Sequence, residues 1–169
     1  MIKISLLAVA AFSLNACQYF QPEVVGQTEG KIYKVTINNT LANEKFAPIL
    51  IVGDADDHKI WVGDYVSDEA YTQFTTGNNG PLAEVLGGDQ GQPGKLGIGN
   101  EISFSFRSNA KTVRITAMVH PDFTPDNYVT TLVDLKSGSS SQLQRFDIGV
   151  DEGRKSIQLV GLAGKVTVK

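Results

Sequence analysis

Residues 101–119 read EISFSFRSNAKTVRITAMV, and their alternation decides the fold class. Ile102, Phe104 and Phe106 fall at every second position, and after the break SNAK at 108–111 so do Val113, Ile115, Ala117 and Val119. Successive side chains of a strand point to opposite faces, so each run predicts a strand buried on one face. Upstream, KIYKVTINN at 31–39 sets Tyr33, Val35 and Ile37 against Lys34 and Thr36 in the same pattern. PILIVG at 48–53 is a continuous apolar run, as a more deeply buried strand would be, and KIWVG at 59–63 follows the acidic loop 54–57. Downstream, YVTTLVD at 128–134, QLQRFDI at 142–148, KSIQLV at 155–160 and GKVTV at 164–168 are further strand candidates, with a Ser-rich turn at 137–141. About eight strands at this spacing, without an internal repeat, predict an all-β chain folded as an antiparallel β-sandwich.

One or two short helices interrupt the strands. Ser67 precedes Asp68 and Glu69 as an N-cap precedes an acidic first turn. A second start stands at Asn79-Gly80-Pro81, with Leu82, Val85 and Leu86 on one face and Gly87 to stop it. The stretch GGDQGQPGKLGIGN at 87–100 carries six glycines and is expected to be a long loop.

The chain starts MIKISLLAVAAFSLNAC: one charge at Lys3, an apolar run from Ile4 to Phe12, then small residues before Cys17. That is the layout of an export signal. The apolar run is far shorter than the ~20 residues that span a bilayer. Leu14-Asn15-Ala16-Cys17 looks like a lipobox, which predicts a signal peptide over 1–16, lipid on Cys17, and a tether over 17–30. Cys17 is the single cysteine, so neither an internal disulfide nor a two-cysteine metal site is available. A membrane partner through the lipid anchor is thereby expected. Gln18, where an aspartate would retain the inner membrane address, resembles the sorting pattern of outer-membrane lipoproteins in the bacterial envelope.

Residues 31–169 then form one domain, of a size that buries a sufficient core without disulfides. The net charge of −3, with no run of Lys and Arg, argues against nucleic acid as a partner. His58 and His120, the two histidines, do not sit at zinc-site spacing, and there is no Gly-x-Ser-x-Gly elbow. Asp122 and Asp126 are a pair of acids of the kind a glycosidase uses, but nothing else in the chain accompanies them. The chain is expected not to be an enzyme. Trp61, Tyr65 and Tyr71 are either core or the lining of a sugar or peptide groove.

Asp122 in HPDFTPDN and Asp147 and Asp151 in FDIGVDEG each follow an apolar strand. If the fold brought these loops together, the carboxylates would repel unless a cation lay between them, and calcium takes six to eight such oxygens. Asp126, Glu152 and loop carbonyls could complete such a shell. Solvated acidic turns are the other reading of the same residues.

The chain resembles the spondin N-terminal domain over roughly residues 31–155. YKVTINNT is similar to that family's opening strand, FAPILIV to its second, and VGDYVSDEAYTQFTTGNNGPLAEVL to its helical segment. TAMVHPDF resembles its Met-containing strand ending in an Asp-x-Phe turn, and RFDIGVDEG its Asp-x-Gly-x-acid signature. Pro121, Ile148 and Val150 depart from the family's usual residues. The resemblance implies a C2-like sandwich, a calcium ion on Asp122, Asp147 and Asp151, and a binding or adhesion role toward matrix, glycan or surface protein. The alternative is an envelope structural or accessory lipoprotein without bound metal.

Overall fold

The computed structural model describes residues 24–120, 127–150 and 157–169. The strands are β1 (Val24–Gly26), β2 (Lys31–Asn39), β3 (Lys45–Gly53), β4 (Trp61–Val62), β5 (Tyr65–Val66), β6 (Gln90–Leu96), β7 (Glu101–Ser108), β8 (Thr112–His120), β9 (Asn127–Asp134), β10 (Ser140–Asp147) and β11 (Gln158–Val168). Between β5 and β6 lie the helices α1 (Asp68–Thr76) and α2 (Gly80–Leu86). Nine strands make one sheet in the order β1-β7-β2-β11-β10-β9-β8-β3-β6, and β4-β5 is a separate small hairpin. The two ends of the large sheet meet. Val25 of β1 packs against Gly91 of β6 so closely that a Cβ on Gly91 would lie 2.6 Å from Val25 Cγ2. The sheet therefore wraps into a sandwich-like, mostly β fold.

The wrapped interior holds Val35, Ile37, Phe104 and Phe106 from one half and Phe46, Ile51, Ile115 and Val129 from the other, all essentially without exposure. A second apolar layer forms outside β3, β8 and β9, where Phe74, Leu82 and Leu86 of the helices cover Leu50, Val52 and Tyr128. β3 and β8 are thus buried on both faces, which is why PILIVG does not alternate. Ser67 Oγ accepts from Ala70 N at 3.2 Å and Gly77 closes α1 at φ 73°, as the sequence predicts. Asn79 instead turns its amide inward. Its Oδ1 accepts from Gln73 Nε2 (2.7 Å), its Nδ2 donates to Gln92 Oε1 (3.3 Å), and Gln73 Oε1 in turn accepts from Thr116 Oγ1 (2.8 Å). This relay pins both helices to the sheet.

Three expectations are corrected. Residues 90–96 of the glycine-rich stretch form β6, because glycine there admits the close approach of Val25 and the irregular register with β3. Val24–Gly26, read as tether, form β1, which runs parallel to β7, so the sheet is not wholly antiparallel. Residues 158–160, the end of KSIQLV, and GKVTV belong to a single strand, β11, whose register against β10 shifts twice. KIWVG begins on the last residue of a 3-10 turn at Asp57–Lys59 and supplies the hairpin strand β4, outside the main sheet.

Candidate metal site

β8, β9, β10 and β11 are neighbours, and the strand ends that bracket 121–126 and 151–156 all lie at one end of the sheet. There Met118 and Phe146 both stand opposite Tyr128, and Asp147 stands opposite Asn127. The floor beneath is an aromatic stack. Tyr128 lies face to face with Phe74 at 3.8 Å and 4°, and Phe146 stacks on it at 5.4 Å. The Tyr128 hydroxyl accepts from Trp61 Nε1 at 3.0 Å, and burial pushes its pKa up to about 12. Arg114 lies 4.9 Å over the Trp61 ring and forks onto Asp57 at 3.1 and 2.5 Å. Trp61 is therefore part of the packed layer, while Tyr65 and Tyr71 remain exposed.

Asp147 Oδ1 accepts from Gly149 N at 2.5 Å, with Gly149 at φ 73°, so the carboxylate shapes the turn by which the chain leaves β10. An ionised carboxylate has lone pairs for several partners, so this backbone donor and a hard cation can share it. Arg145, two residues back, forks onto Glu44 at 2.6 and 2.9 Å and donates from Nε to Asn127 Oδ1 at 2.9 Å. That pair joins residues 101 apart in the chain, and no sequence signal marks it.

Of the sequence-predicted set, Asp147 is placed, at the last position of β10. Asp122 and Asp151 lie outside the described residues, as do Asp126, Glu152, Pro121 and Cys17. His120 ends β8, exposed, and His58 sits in the 3-10 turn. Among the described residues no three His, Cys, Asp or Glu side chains come close enough to hold a metal, and no helix is long and apolar enough to cross a membrane. No family model and no curated protein matches the chain.

Proposed function

We propose that this chain is a lipid-anchored extracytoplasmic binding domain that takes calcium at the Asp147 end of its sandwich and performs no catalysis. One observation carries the metal part: Asp147 and Asn127, register partners, are the last and first residues of the strands that flank the two acidic loops. Asp122, Asp147 and Asp151 would hold the ion, which supplies positive charge that lets their carboxylates gather and ties the loops together. The binding partner is of the matrix, glycan or surface-protein class, following the resemblance to the spondin N-terminal domain. The anchor rests on the export signal and Cys17, and outer-membrane residence on Gln18.

Thermal unfolding of the full-length chain carrying Cys17→Ser tests the metal. Millimolar calcium at a hundredfold excess over its dissociation constant should add about 2.7 kcal/mol relative to chelator, several degrees in Tm. Asp147→Asn should abolish that gain. Coincident curves in calcium and chelator would reject the ion and leave an envelope lipoprotein without metal. For the anchor, the unsubstituted chain expressed in a Gram-negative host should fractionate with membranes and carry a lipid mass on Cys17, and Cys17→Ser should release it.

A further inference from the structure

A groove of about 460 Å³ opens at the other end of β8 and β9, lined by Lys31, Tyr33, Asn109, Lys111, Asp134 and Lys136, with Leu135 and Ala110 beneath. Its walls come from three parts of the chain: the start of β2, the turn joining β7 to β8, and the turn after β9. Their backbones are fastened to one another. Lys31 is in register with Ser108, and Leu135 N donates to Lys111 O at 2.8 Å. Lys136 N donates to Asp134 O at 2.8 Å, holding the third wall in a tight turn. The groove is thus preformed, and its volume falls within the range of small-molecule sites.

The charge in it runs against the molecule. The chain is net −3, yet three ammonium groups meet here with one carboxylate, Asp134. Among the described residues none of these lysines has an acid within ion-pair distance, whereas Arg114 and Arg145 are both neutralised by forked carboxylates. Asp54 accepts from the backbone amides of Thr112 and Lys111 at 2.9–3.2 Å, which with the nearby Lys111 charge hold its carboxyl below the usual range, but it forms no ion pair with that ammonium. Three ammonium groups with no ion pair among the described residues fit a ligand with anionic oxygens. A bare anion would leave Asp134 unsatisfied and repelled. A ligand that also carries hydroxyls gives Asp134 an acceptor's role and Asn109 a donor's or acceptor's, and Tyr33, partly packed on the core, adds an aromatic side chain to the lining.

We propose that this groove binds a phosphorylated sugar, with the phosphate among Lys31, Lys111 and Lys136 and the hydroxyls on Asp134 and Asn109. The site is remote from Asp147 and depends neither on calcium nor on the anchor. The phosphosugar could be free or carried as a lipid headgroup. Titration of the full-length Cys17→Ser chain by calorimetry with glucose phosphate, glucose and inorganic phosphate tests the chemistry. Glucose phosphate should bind saturably and more tightly than either fragment, and weaken as salt rises. Lys111→Ala and Lys136→Ala should each cost about tenfold in affinity, the loss expected of one charge-assisted contact. All three lysines are exposed, so these variants should melt with the unsubstituted chain. Phosphatidylcholine vesicles with and without phosphorylated phosphatidylinositol separate the sources. Lysine-dependent binding to the phosphorylated vesicles alone assigns a lipid headgroup, and to glucose phosphate alone a free sugar. Equal affinity for glucose and glucose phosphate, binding indifferent to the lysine variants, or no binding in either arm overturns the proposal.

Discussion

Tyr128 has no solvent exposure, stacks with Phe74 and Phe146, and accepts at its hydroxyl from the Trp61 indole. Its neutral form is the one the fold accommodates. The folded pKa, raised to about 12 from 10.0, means that the unfolded chain loses this proton first as pH rises. Stability from this group is therefore complete below pH 10 and falls away as pH climbs toward 12, by on the order of 2 kcal/mol. Urea midpoints measured from neutral to alkaline pH should show that decline in the unsubstituted chain and a flatter one in Tyr128→Phe. At neutral pH the same variant should cost only about 1 kcal/mol, the net worth of one hydrogen bond. Gly91 is the opposite kind of residue, important for what it lacks. Gly91→Val would put a side chain where Val25 already lies, so β1 should detach, read as faster amide exchange at 24–26 with the remaining strands unaffected.

At the scale of elements, the helices are held by polar contacts as much as by Phe74 and Leu82. Gln73 accepts from Thr116 of β8 and donates to Asn79 at the start of α2, all of it buried. Gln73→Ala should leave Asn79 and Thr116 without those partners and lower stability by about 2–3 kcal/mol in denaturant unfolding. Gly164 of β11 lies against β2 so tightly that a Cβ would fall on Asn38 O, and Gly164→Ala should cost more than about 2 kcal/mol by the same assay. These elements differ in how plainly the chain announces them. β2, β7 and β8 were legible because their apolar residues alternate, β3 because it carries an unbroken apolar run, and α1 because Ser67 and Gly77 mark its ends. β6 was not, since its glycines serve a distant strand and look, locally, like a loop. β1 was hidden for a related reason: three residues carry no period, and their partner lies in β7. β11 was legible only as two halves because Gly161 and Gly164 break its apolar pattern while the ladder continues past them.

Across the whole molecule, Asp147 and the lysine groove sit at opposite ends of β9, whose eight residues extend about 25 Å. Sites so far apart, with no shared partner, should act independently. Asp147→Asn should leave phosphosugar affinity unchanged, and Lys111→Ala should leave the calcium gain in Tm unchanged, a crossed pair of titrations that checks both assignments. The acids were visible in sequence because two short motifs hold them. The lysines were not, because 31, 111 and 136 meet only once β2, β8 and β9 are assembled. That assembly has an order built into it. β1 pairs with β7, and β2 is flanked by β7 and by β11, the final strand. The opening strands of the chain have no neighbours until β7 has arrived, and β2 lacks its second until the closing strand follows; such distant pairing is slow to form. If the chain is exported through a channel, as proposed, the order of its strands keeps its start threadable: β1 and β2 find no strand partner before residues 101–108 have followed them.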